Sequence, residues 1–111
     1  MTHFNPVVVP VRNNLHLTRK AVATFKNQDI GNIEIMVINN DSTDGTNEWL
    51  AARTDLWAMS FYPGTSVAES WNTGLRWAFG AGAEYCLVVN NDVELRPDTY
   101  RRLVEDGGGF V

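Results

Sequence analysis

The 111-residue chain predicts an α/β fold, a mostly parallel sheet with helices on both faces. Three observations carry that expectation. Short apolar runs rich in β-branched residues recur at Pro6–Val11, Ile33–Asn39 and Tyr85–Asn90, and they are nearly continuous rather than alternating, as strands covered on both sides require. Segments with helical spacing lie between them, so the order reads β-α-β-α-β-α-β-α and the strands pair in parallel through right-handed crossovers. Finally, the places where strands should end carry clusters rich in Asn, Asp or Gly: Pro10-Val11-Arg12-Asn13-Asn14, Asn39-Asn40-Asp41-Ser42-Thr43-Asp44-Gly45, Gly64-Thr65-Ser66 and Asn90-Asn91-Asp92. Carboxyl ends of parallel strands line one crevice, so these clusters are expected to meet.

Each element has its own signal. After the first strand, Leu17, Ala21, Val22 and Phe25 recur at helical spacing, and Asn13 or Asn14 can cap the start. A second helix is expected from Thr46 to about Arg53, then a weaker strand over Leu56–Tyr62 closed by Pro63-Gly64. The third helix is the clearest: Val67, Trp71, Gly74, Leu75 and Ala78 form one stripe, Ser66 is placed to cap it, and Gly80-Ala81-Gly82 ends it. Beyond the last strand, Pro97 suits a first helical position, and a short helix through Leu103 and Val104 follows. The apolar pair Phe110-Val111 after Gly107-Gly108-Gly109 reads as the start of another strand, so the chain is expected to be the front part of a longer protein.

Composition narrows the class. An apolar share of 44% and a charged share of 20% are those of a globular domain, and no apolar run approaches a membrane span. With a net charge of −4 and no basic cluster larger than a pair such as Arg101-Arg102, the long-range field argues against nucleic acid as partner. Cys86, the single cysteine, lies inside an apolar run and reads as a small buried hydrophobe; no disulfide framework is possible. The first residues, Met1-Thr2-His3-Phe4, lack the basic and apolar segments of a secretion signal, so a reducing cytoplasm is the expected compartment.

The polar tips hold the candidate chemistry. Asp41, Ser42, Thr43 and Asp44 are suited to turns and helix caps, and for Ser42 and Asp44 that structural role is the expected one. The segment fails as a calcium loop, since counting from Asn40 puts Ala51 where the twelfth position needs Glu. Asp92, just past a buried strand, can give one oxygen to a divalent cation that keeps its other positions for water and phosphate, while Glu94 reads either as a partner supporting that ligand or, by preference, as a solvated acid. His3 and His16 have no companion at ligand spacing, and no Walker loop, zinc spacing, dinucleotide fingerprint or nucleophile elbow is present.

Taken together, Val9-Pro10-Val11-Arg12-Asn13, the Asn39–Thr46 segment with its Ser-Thr-Asp-Gly-Thr core, Asn72-Thr73-Gly74, and Asn90-Asn91-Asp92 followed by Arg96-Pro97 resemble the nucleotide-binding half of a family 2 glycosyltransferase. The resemblance covers nearly the whole chain, and the Ser-Thr-Asp-Gly-Thr core is its most specific part. It implies a Rossmann-like GT-A fold, residues 1–111 forming one nucleotide-sugar-binding domain, and metal-assisted transfer of a sugar from a nucleoside-diphosphate sugar to a saccharide or glycolipid acceptor, with inversion. Pro10 and Arg12 would flank the nucleoside, Asn40 contact the base, Asn91 reach the ribose, Asp41 and Asn72 join the nucleotide site, and Asp92 bind Mn2+ or Mg2+. The general base and the acceptor site would lie beyond Val111. As a family member without a membrane span, the protein would work in the cytoplasm or peripherally at the inner membrane face.

The chain departs from the family pattern in two places. Asn40 stands where Asp is frequent, and the metal triplet begins with Asn90-Asn91. An amide that both accepts and donates suits uracil or thymine better than guanine, so a UDP- or dTDP-sugar is expected as donor. The alternatives are a non-catalytic nucleotide-sugar-binding or regulatory module of the same fold, and a receiver-like signalling domain, which would need an acidic pair where this chain has Pro10-Val11-Arg12-Asn13.

Overall fold

The apolar runs do form a parallel sheet. A computed structural model describes residues 4–61 and 67–106, in the order β1 (Asn5–Val11), α1 (Leu15–Lys26), β2 (Ile33–Asn40), α2 (Thr46–Ala51), β3 (Trp57–Phe61), α3 (Val67–Gly80), β4 (Leu87–Val88) and α4 (Thr99–Glu105). The strands lie in the order β3-β2-β1-β4, every pair parallel. Because successive side chains of a strand point to opposite faces, the sheet divides the core in two. On one face Val7, Val9, Val11, Ile35, Val37, Leu87 and Val89 pack with Ala21, Val22 and Phe25 of α1, Leu50 of α2 and Tyr100 of α4. On the other, Val8, Met36, Ile38 and Val88 pack with Trp71, Leu75 and Trp77 of α3. Helices therefore cover both faces. Val7, Val8 and Val9 are fully buried, each adding about 1.5–3 kcal/mol, which makes β1 the centre of the core.

Several elements differ from the sequence expectation. The buried side of α1 carries Thr18 with Ala21, Val22 and Phe25, while Leu17 is only half-buried. Thr18 is tolerated there because its hydroxyl donates to the Asn14 carbonyl (3.3 Å) and accepts from Asn91 (3.0 Å). The last strand is far shorter than Tyr85–Asn90, since only β1 flanks it; one more ladder bond, Val89 N–H to the Val8 carbonyl (3.0 Å), continues past its end. Helix α2 stops at Ala51 rather than Arg53, whose guanidinium instead grips Asp55 through Nε (2.8 Å) and Nη2 (2.7 Å). Helix α4 starts at Thr99, not at Pro97: Gln28 Oε1 accepts the Tyr100 N–H (2.9 Å), a cap supplied from across the fold. Cys86 is partly buried, and burial pushes its thiol up to about 12, as a structural cysteine requires.

Gly82, at φ +96°, ends α3 as expected, with the Ala83 N–H returning to the Ala78 carbonyl (3.1 Å). The Tyr62, Pro63-Gly64 and Gly64-Thr65-Ser66 expectations, His3, the Gly107–Val111 tail and the Val67 side chain lie outside the described residues. Among the described residues, no helix is long and apolar enough to cross a membrane.

Gly74 sets how closely α3 lies on the sheet. A Cβ at this position would run into Val8 Cγ1 on β1. Because Val8 is fully buried and cannot retreat, Gly74→Ala is expected to cost about 1–3 kcal/mol in urea unfolding despite the gain in helix propensity. A cost under about 0.5 kcal/mol would show that the helix can lift off freely.

Candidate functional site at the carboxyl edge of the sheet

The strand order has a direct consequence for the site. The chain builds outward from β1 to β2 to β3 and then returns to the far side of β1 for β4, so the direction of winding switches between β1 and β4. In open α/β sheets a ligand crevice lies outside the carboxyl ends of the strands at such a switch; here the chain leaving β1 and the chain leaving β4 both go on to helices of the same face, α1 and α4. Residue pairing runs Val11↔Asn39 between β1 and β2 and Val8↔Val88 between β1 and β4. The tips carrying Arg12-Asn13, Asn40-Asp41 and Asn90-Asn91-Asp92 therefore stand side by side, β2 and β4 being two strand spacings, about 10 Å, apart.

Much of the Asn and Asp content of these tips serves the backbone. Asn13 (φ 59°), Asn14 (φ 58°) and Asp41 (φ 54°) are all left-handed, a region that Asn and Asp tolerate better than other side-chain-bearing residues. Two successive left-handed residues turn the chain sharply from β1 into α1 and aim the Asn13 polar groups at both neighbouring loops. Its N–H donates to Ser42 Oγ (2.9 Å), and its Oδ1 accepts from the Thr43 N–H (2.7 Å). Its carbonyl accepts from Asn91 Nδ2 (3.3 Å). Asn13 thus joins the loop after β2 to the loop after β4.

Asp44 adds a second tie. Its Oδ2 accepts from the Leu15 N–H (2.8 Å), while its Oδ1 accepts from Thr46 Oγ1 (2.6 Å) and the Thr46 N–H (3.3 Å). One carboxylate therefore serves the first residues of both α1 and α2, and Asn14, in the N-cap position of α1, makes no side-chain cap bond. These hydrogen bonds hold the Asp44 carboxyl below its ordinary value, the Thr46 hydroxyl most and the Leu15 N–H next. Ser42 and Asp44 have the structural roles expected of them.

The expected site residues separate into two groups. Pro10, buried, and Asn40, only 9% exposed, belong by alternation to the α3 face, where the Ser70 hydroxyl donates to Asn40 Oδ1 (2.7 Å). Arg12 and Asp92 are exposed beside them. Asn91 turns to the α1 face and spends Nδ2 on the Asn13 carbonyl and on Thr18 Oγ1. With both amide hydrogens committed, Oδ1 remains to meet a ligand hydroxyl. Asp41 opens away from β4, into a cavity of about 410 Å³ lined also by Asn47, Leu50, Ser60 and Phe61. Asn72 sits on the outer side of α3, in a groove with Leu75, Arg76, Phe79 and Gly80. The edge therefore gathers Pro10, Arg12, Asn40, Asn91 and Asp92, and it does not bring Asp41 or Asn72 into that group. The sequence reading missed Thr18 and the linking role of Asn13; the Asn13-Asn14 pair directly after a strand was the available signal for a left-handed turn.

Among the described residues no group of three or more His, Cys, Asp or Glu side chains could cage a metal. At the β4 tip the donor set is one exposed carboxylate, Asp92, with Glu94 exposed two residues on; of the acids after β2, Asp41 opens into its own cavity and Asp44 is taken up by Leu15 and Thr46. That fits a hard cation held mainly by phosphate and water oxygens, and it does not fit a cation bound by protein alone.

The model for glycosyl transferase family 2 matches residues 7–106. Among solved structures, TarS from S. aureus (residues 1–349) superimposes with a TM-score of 0.76 at 19% identity over 92% of this chain and 31% of that one. The TarS complex with UDP-GlcNAc gives a TM-score of 0.71 at 21% identity over 92% and 30%. The mannosyltransferase PcManGT from Pyrobaculum calidifontis, in complex with GDP-Man and Mn2+, gives 0.70 at 25% identity over 91% and 31%. The chain thus spans about a third of the length of these structures. No curated protein matches it.

The Asp44 clamp makes an acid-stability prediction. Because its carboxyl is lowered on folding, its contribution is complete above the ordinary carboxylate value of about 3.9 and is lost as pH falls from there through the folded value. In urea unfolding between pH 6 and pH 3, Asp44→Asn is expected to flatten this acid limb, leaving the share of Asp55, which is also lowered through Arg53 and Lys26. An unchanged limb in Asp44→Asn would contradict the clamp.

Proposed function

The chain belongs to glycosyl transferase family 2, and from that premise we propose that it holds the nucleoside-diphosphate part of a UDP- or dTDP-sugar for metal-assisted, inverting transfer to a saccharide or glycolipid acceptor. The observation that carries this reading is the gathering of the β1, β2 and β4 tips at the winding switch, with Asn40 and Asp92 on either side of β1. The acceptor hydroxyl would be deprotonated by a carboxylate outside these residues, and the whole protein would work in the cytoplasm or at the inner membrane face.

Pro10 and Arg12 flank the nucleoside, and Asn40 reads the base. The Ser70 hydroxyl on Asn40 Oδ1 fixes the amide and leaves one acceptor lone pair beside the Nδ2 hydrogens. That pattern takes a pyrimidine imino N–H and gives to the adjacent ring carbonyl. Guanine offers neighbouring donors instead, and one remaining lone pair cannot satisfy them. Asn91 Oδ1 accepts from a ribose hydroxyl, and Asp41 and Asn72 shape the approaches from the α2 and α3 sides.

Asp92 provides the carboxylate for Mn2+ or Mg2+. When bound there, the cation neutralises diphosphate charge that grows as the glycosidic bond breaks, so it stabilises the transition state more than the ground state. Asp92 brings the only formal charge of its triplet, so affinity for the cation depends on the diphosphate.

Calorimetry tests the base reading directly. UDP or dTDP is expected to bind more tightly than GDP by on the order of 5- to 150-fold, the cost of a buried unsatisfied donor. GDP binding more tightly than both would overturn it. Manganese is expected to bind weakly to the free protein and to strengthen UDP binding, and Asp92→Asn is expected to abolish that gain. A gain that survives Asp92→Asn would remove Asp92 from the metal site.

A further inference from the structure

Thr18 is a fully buried polar residue on a helix, facing the loop that carries Asp92, and the reading above gives it no task. Its hydroxyl donates to the Asn14 carbonyl (3.3 Å) and accepts from Asn91 Nδ2 (3.0 Å), which also donates to the Asn13 carbonyl (3.3 Å). Every hydrogen of the Asn91 amide and of the Thr18 hydroxyl is used. The bonds form a strut from α1 and the β1 tip to the residue immediately before Asp92.

We propose that Thr18 is a positioning residue for the cation: through Asn91 it holds the turn after β4 so that the Asp92 carboxylate faces the diphosphate. The inference rests on the donor reading and adds a residue that reaches neither ligand nor metal. Asp92 is exposed and its strand is paired on β1 alone; apart from the strut, its turn is held by the Val93 N–H on the Asn90 carbonyl (3.4 Å) and by Val93 and Leu95 packed on the core. A carboxylate left to wander would lose a cation that needs it and the diphosphate together. The base contact at Asn40 depends instead on Ser70, on the opposite face of the sheet. Loss of the strut should therefore weaken the metal's contribution more than metal-free nucleotide binding, which depends on Thr18 only through the Asn91 contact to the ribose.

The test compares UDP titrations with and without Mn2+ for the wild type, Thr18→Val, which keeps shape and removes the hydroxyl, and Thr18→Ser, which restores it. In Thr18→Val the Mn2+-dependent gain in UDP affinity is expected to fall about three- to tenfold, the range of one neutral hydrogen bond, with metal-free affinity falling by less and Thr18→Ser close to wild type. An equal gain in Thr18→Val and wild type, or an equal loss with and without metal, would overturn the proposal. If Thr18→Val does not fold, Thr18→Ala serves the same comparison. Amide hydrogen exchange over residues 90–95 of the free protein separates the two readings. Should the wild type bind no UDP, the donor reading fails, and the strut is judged by whether Thr18→Val speeds exchange there; unchanged exchange would refute it.

Discussion

Of the two inner strands, β1 is the one whose neighbours on both sides, β2 and β4, carry polar tips with candidate site residues. Its core residues are sealed from water, so its end must turn abruptly, and the turn leaves backbone groups that need partners. Those partners come from the loops on either side. Asn13 takes Ser42 and Thr43 from one neighbour and Asn91 from the other, and Asp44 reaches over to the first turn of α1. Closing β1 is therefore also what draws the candidate donor loops together.

The same residues carry structural and chemical roles, and the geometry divides them. Asn39, Ser42 and Asp44 are consumed by the fold: Asn39 accepts the Ser42 N–H (3.2 Å) and donates to Asn47, and Asp44 caps. Asn40 and Asn91 are half consumed, each with one side of its amide committed and the other left for a ligand. Arg12 and Asp92 remain at the surface. A fixed amide on each side of β1, with an exposed cation at the β1 tip and an exposed carboxylate after β4, is a division suited to a ligand with a flat base at one end and a polyanion at the other.

Most of the architecture was legible in the sequence because it follows from burial. The parallel apolar strands reappear, the last one shortened to Leu87–Val88; the described part of the α3 stripe and the Gly82 terminator reappear too, and the tips of β1, β2 and β4 lie along one edge. The site was legible only as a neighbourhood. Hydrophobic periodicity favoured Leu17 over Thr18, since a buried threonine is recognisable only once Asn14 and Asn91 are seen to satisfy its hydroxyl. Asp44 was recognisable as a cap, but not as one serving two helices, because its bond to Leu15 spans 29 residues. Asp41 and Asn72 were grouped with the site by likeness to a family pattern. Side-chain direction on a left-handed turn and on the outer side of a helix is set by local backbone, which a motif does not encode.

The central claim is that the tips of β1, β2 and β4 act as one nucleotide site organised around β1. It is tested most directly by following backbone and side-chain amide resonances while UDP and then Mn2+ are added. The account predicts coupled shifts over residues 10–14, 39–44 and 90–92, with paramagnetic broadening centred on Asp92. Shifts confined to the groove around Asn72 and Phe79, or broadening remote from Asp92, would contradict it.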